Sequence, residues 1–178
     1  MLFALVALVV QVASLLQYEA VRAFSIYSRA MAPTLEPGDE LLGLEPHVWG
    51  LDVTRGTLVA FERPVVPASA ELAVKRVVAV AGDEVEVRRG RVRVNGAVVR
   101  DPPVAADSGD TTPDFGPYRL PEGSIYVLGD NAPVSEDSTL YGPIPVARVR
   151  YVIWLRHAPW ARRCSFRGPR LFDTCSAR

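Results

Sequence analysis

From Phe24 onward the chain is cut into short runs of alternating apolar and polar residues, each bounded by Gly, Pro or Asp. No other feature limits its folding as strongly. Runs of four to eight residues with a period of two suit half-buried strands, and no stretch holds a 3.6-residue period long enough to make an amphipathic helix. The alternation predicts strands at Glu40–Leu44, Thr57–Glu62, Leu72–Val80, Glu84–Arg89, Arg91–Val94, Ala97–Arg100, Ser124–Leu128 and Val149–Leu155. Asn95-Gly96, between Arg91–Val94 and Ala97–Arg100, fits a two-residue type I′ hairpin turn, which needs positive φ at both positions. The stretch from Arg100 to Gly123 is rich in Pro, Asp, Gly and Thr and reads as a long surface excursion. Gly-Asp recurs at Gly38-Asp39, Gly82-Asp83 and Gly129-Asp130, always at the edge of a predicted strand, which is turn chemistry.

At 178 residues and 49% hydrophobic content, the chain has room for one well-buried domain and a short appendage. The appendage is Leu2 to Leu16, apolar except for Gln11 and Ser14 and extendable to Tyr18. Seventeen residues at about 1.5 Å each come to the lower end of a bilayer span. The run lacks the basic start and small-x-small end of a cleaved leader, so residues 1–23 are expected to anchor the chain in a membrane. Residues 24–178 then form a mainly β, antiparallel domain. Twenty basic residues balance twenty acidic ones, which argues against a nucleic-acid partner, since phosphate neutralisation needs a basic surplus. From Arg148 onward, eight arginines face the single acid Asp173, giving a basic tail that either rests on anionic lipid or is simply solvated. Cys164 and Cys175 could close a short disulfide loop in an oxidising compartment, and their number and spacing offer no metal site. His47 and His157 are isolated, and no cofactor is expected.

Three segments carry the chemistry. The first is Phe24-Ser-Ile-Tyr27-Ser28-Arg29-Ala30-Met31-Ala32-Pro33-Thr34-Leu35, running on to Asp39. The second is Val74-Lys75-Arg76-Val-Val-Ala-Val-Ala-Gly82-Asp83, and the third runs from Gly129-Asp130-Asn131 through Ser135-Glu136-Asp137-Ser138 to Tyr141-Gly142. In order and spacing, together spanning most of the soluble part, they resemble the motifs of type I signal peptidases.

The resemblance implies a membrane-anchored serine endopeptidase that acts on signal peptides of exported proteins and uses lysine as general base. Its soluble domain would lie on the extracytoplasmic side of the cell membrane. Arg22 and Arg29, beyond the apolar run, argue weakly for the opposite orientation. Lys75 holds the base position, and its amine must be buried to lose its proton near neutral pH. Ser28, with the backbone N–H of Ala30, corresponds to the oxyanion-binding pair, and Met31 adjoins them. Ser135 is the expected partner of the Lys75 amine, Asp137 supports it, and Asp130 and Asn131 organise the turn. Strand alternation sends Arg76 to the face opposite Lys75, where a surface pair is expected.

The chain departs from the family at the central position, because Ala30 stands where the nucleophilic serine belongs. Tyr27 and Arg29 replace Pro and Gly, Ala79 and Ala81 replace Gly and Pro, and Ala132-Pro133-Val134 replaces Arg-Asp-Asn. Thr139 stands where an arginine would pair with Asp137. Changes this scattered suggest a natural divergent member rather than the alternative, a laboratory Ser→Ala change, which would leave the other positions matching the family. Two readings follow: an endopeptidase with an unrecognised nucleophile, for which Ser28 is the candidate, or a non-catalytic protein that binds signal peptides or an active signal peptidase paralogue. A third, kinship with self-cleaving repressors, is disfavoured by the anchor and by the lack of a DNA-binding helix pair.

Overall fold

The computed structural model describes residue 6 and residues 20–64, 72–99 and 113–166. Twelve strands follow one another in these segments: β1 Val21–Ser25, β2 Glu40–Leu44, β3 Leu58–Glu62, β4 Leu72–Val80, β5 Glu84–Arg88, β6 Arg91–Val94, β7 Ala97–Val98, β8 Phe115–Arg119, β9 Ser124–Leu128, β10 Ile144–Pro145, β11 Val149–Ala158 and β12 Cys164–Ser165. Two single-turn helices, α1 Pro46–Trp49 and α2 Ser138–Tyr141, connect them. The strands form a large sheet in the order β1-β2-β11-β3-β4-β9-β10, with β12 also on β11, and a small sheet in the order β7-β6-β5-β8. Every pairing is antiparallel.

Beyond the exposed edge strand β1, the large sheet has apolar clusters on both faces, and the alternation of its strands sorts side chains between them. Val59 and Phe61 of β3, Ile125 and Val127 of β9, and Val149 and Val152 of β11 pack together on one face. On the other, Leu58 and Ala60 meet Tyr151, Ile153, Met31 and Leu35, while Tyr126 and Leu128 join the small sheet's Val85, Val87, Val92 and Val94. At roughly 25 cal/mol per Å² of apolar surface, these clusters supply the main drive to fold.

The predicted strands match closely, and Asn95 and Gly96 have φ of 50° and 78° as the hairpin requires. Four strands escaped the alternation: β10 and β12, each only two residues long, and the five-residue β1 and β8. β1 begins at Val21, inside the segment assigned to the anchor, and β8 lies in the predicted excursion, whose residues 100–112 fall outside the described set. β8 is exposed along its whole length, so no buried alternation could mark it. Among the described residues no helix is long and apolar enough to cross a membrane, and the predicted anchor falls outside them apart from Val6 and residues 20–23.

Gly43 of β2 lets β1 lie close to the sheet. The Phe24 and Tyr151 rings meet edge-on over it at 5.3 Å, and a Cβ there would come within 2.7 Å of Phe24 and 2.9 Å of Tyr151. Gly43→Ala should therefore lower stability by about 1–3 kcal/mol, the usual cost of overpacking. A urea melt monitored by tryptophan fluorescence will show this as a lower midpoint with an unchanged slope.

Candidate active site

The first motif leaves β1 as an extended segment and then turns tightly. Ile26 N–H donates to the Asp39 carbonyl at 2.9 Å and Gly38 N–H to the Ile26 carbonyl at 2.8 Å, so the β1–β2 ladder continues past the strands. Within the turn, Ala32 N–H donates to the Arg29 carbonyl and Leu35 N–H to the Met31 carbonyl. This places Ala30, Met31 and Leu35 in the interior and leaves Ser28 exposed.

Two other elements hold the turn. Asn131 N–H donates to the Ala30 carbonyl at 3.0 Å, and the Asn131 side-chain amide donates to the Arg29 carbonyl at 3.0 Å. Gly129 packs against the Ala30 carbonyl and Ser135, where a side chain would collide with both. From the other side, Arg156 of β11 donates to the Thr34 carbonyl at 2.7 Å, and Arg162 reaches Asp39 at 3.0 Å. Arg156 also approaches the sulfur of Cys164, which is disulfide-bonded; Cys175 lies outside the described residues.

Arg76 departs from the surface role predicted for it. It is buried and forms a bidentate pair with Asp130, Nε to Oδ1 at 2.9 Å and Nη2 to Oδ2 at 2.6 Å, while also donating to the Gly56 carbonyl and Thr34 Oγ1. Strand alternation does turn it away from Lys75, but the opposite face is also interior. Asp130 therefore joins the second motif to the third as well as shaping a turn.

Lys75 is 5% exposed and lies opposite Val59 of β3. Burial lowers its pKa by disfavouring the ammonium form, and Arg63 adds to that, while Asp137, Glu136 and Asp130 oppose it. Its amine makes no ion pair or hydrogen bond among the described residues. Ser135, the expected partner, donates instead to Asp137 Oδ2 at 2.7 Å. Asp137 also accepts from Gly129 N–H and from the N–H and hydroxyl of Thr139, so neutral donors surround it where an arginine was expected.

Ser28, Ala30, Met31 and Lys75 line one groove of about 390 Å3. Segment Phe24–Ser28 walls it on one side and Leu72–Lys75 on the other, with Val134, Glu136, Tyr141 and Arg63 at its border. Tyr141 and Arg63 both bond to Glu136, at 3.1 and 3.5 Å. Val134, Glu136 and Tyr141 lie in or beside the third motif but were given no role from sequence, and Arg63 was not singled out because nothing in its spacing marks it. Ala30 N–H, one of the two expected oxyanion donors, donates to Ser28 Oγ at 3.0 Å, which leaves the Ser28 hydroxyl proton available to a ligand.

Parts of all three motifs thus meet at one groove of a mainly antiparallel β domain. The family model described as signal peptidase, peptidase S26, matches residues 1–154, and the chain belongs to that family. It is 33% identical over 145 residues to a probable signal peptidase I-2 of Synechocystis, covering 77% of this chain and 63% of that protein. It is 32% identical to thylakoidal processing peptidase 1 of Arabidopsis thaliana, covering 70% of this chain and 38% of the relative. A signal peptidase I structure from Enterococcus faecalis aligns with a TM-score of 0.45 at 28% identity, covering 57% of this chain and 96% of that one. The chain thus spans between about a third and two thirds of the length of its curated relatives.

Two outcomes follow from the buried charges. Arg76→Leu, which strands Asp130, should cost about 3–5 kcal/mol, while Arg76→Leu with Asp130→Leu should recover much of that, read from urea melts of the three proteins. Lys75→Met should raise the melting temperature, and more at pH 6 than at pH 10. Below its depressed folded pKa, Lys75 carries the full penalty of a buried ammonium; above it the amine is neutral when folded, and the penalty shrinks as pH rises toward the unfolded pKa.

Proposed function

We propose that this chain binds signal-peptide segments of exported proteins in the groove between Phe24–Ser28 and Leu72–Lys75, and does not cleave them. The observation that carries this reading is the pairing of an intact groove with Ala30, whose methyl group can neither attack a carbonyl nor yield a proton. Binding needs only what is kept. β1 ends its sheet, and β9 pairs with β4 only from Arg76 onward, so Leu72–Lys75 keeps an edge free of any described strand. An extended peptide can add to such an edge through main-chain hydrogen bonds, with the Ser28 hydroxyl as a further donor.

Residues 2–18 anchor the chain in the cell membrane with the domain on the extracytoplasmic side, a placement that the disulfide at Cys164 supports. One observation favours a second reading, hydrolysis through Ser28: that serine shares the groove with Lys75.

The test uses the detergent-solubilised chain and a fluorescent signal-peptide segment with small residues ahead of its processing site. The parent should bind saturably and release no product, Ser28→Ala should weaken binding about fivefold, the worth of one hydrogen bond of about 1 kcal/mol, and Ala30→Ser should cut. Product from the parent that vanishes in Ser28→Ala would replace this proposal with the second reading.

A further inference from the structure

Lys75 is the single lysine of the chain; the other nineteen basic side chains are all arginine. A guanidinium cannot give up its proton in a protein, so only at position 75 does a basic side chain have access to a neutral form with a free lone pair. The fold puts that amine in a groove wall, 5% exposed, without a hydrogen bond or ion pair among the described residues. With Ala30 in place of serine, no hydroxyl at that position engages it.

We propose that the Lys75 amine is a covalent capture site for small carbonyl electrophiles, taking up an aldehyde from the groove as an imine. Nζ attacks the carbonyl carbon and a C–N bond forms. One proton passes from nitrogen to oxygen to give the carbinolamine, the nitrogen lone pair then forms the C=N bond as the C–O bond breaks, and the departing oxygen takes nitrogen's second proton and leaves as water; no oxidant or reductant is consumed, and hydrolysis reverses the step. Lysines that form imines are those freed of their proton by desolvation, and burial acts on Lys75 in that direction. The charged groups acting on the amine come from three places: Asp137 and Glu136 before α2, Asp130 after β9, and Arg63 after β3. The three carboxylates stabilise the cationic iminium and Arg63 opposes it. The groove's volume of about 390 Å3 is ample for a ligand of a few heavy atoms.

Because the only other primary amine is the chain's own α-amine, labelling reads this site directly. The full chain is incubated with propanal and cyanoborohydride, which fixes the imine as a propyl-amine, and is then mapped by mass spectrometry. At pH 7 the folded protein should gain a propyl group on Lys75 at least tenfold faster than the same chain unfolded in guanidinium chloride, where the amine keeps a pKa near ~10.4. The advantage should shrink steadily as pH rises toward ~10.4, where the unfolded amine too becomes half neutral. Ala30→Leu, which narrows the groove, should slow labelling, and Lys75→Arg should leave only the α-amine modified. Labelling confined to the α-amine, or faster labelling of Lys75 in the unfolded chain at pH 7, overturns the proposal. A signal-peptide segment that fails to protect an otherwise reactive Lys75 counts against peptide binding in the groove and leaves imine formation standing.

Discussion

The bidentate contact between Arg76 and Asp130 is the interaction on which the site depends. It joins the strand that carries Lys75 to the loop that carries Asn131, and through Thr34 it reaches the turn that carries Ala30. Three segments far apart in sequence are thereby fixed around one ion pair, both of whose side chains are at least nine-tenths buried. Neither partner is stable there alone, since desolvating an unpaired charge costs several kcal/mol. Arg76 and Lys75 are neighbours with opposite fates: one is buried in a bidentate pair with a carboxylate, and the other is left without a partner among the described residues and driven toward neutrality.

Much of this was legible in the sequence. Four strands were bounded to the residue, because alternation with turn residues at both ends leaves little freedom in register. Lys75, Ala30, Ser28 and Met31 were named together and share one groove. What could not be read depended on which surfaces end up covered. Arg76 was assigned outward because alternation gives a side and says nothing of what lies on it. Asp137 was expected to lack a partner once its arginine was lost, yet Thr139 supplies two donors and Ser135 and Gly129 one each. β1 was absorbed into the apolar N-terminal run, since five residues beside a long hydrophobic segment carry no signal of their own.

The support for the first motif comes from two independent directions. Asn131 holds the Arg29 and Ala30 carbonyls from one side, while Arg156 and Arg162 hold the Thr34 carbonyl and Asp39 from the other. None of these contacts involves the side chain at position 30. An alanine in place of a serine there is therefore a change of chemistry without a change of shape.

The uncovered edges that border the groove carry a liability as well as a use. Main-chain N–H and C=O groups do not distinguish one extended segment from another, so an edge free of any described strand also invites self-association. Two features restrain it: the open run on β4 is only the four residues Leu72–Lys75, and Arg63 and Glu136 place charge at its border. At high concentration, colloidal behaviour will be governed by those few residues, and solubility becomes a property of the groove's own border.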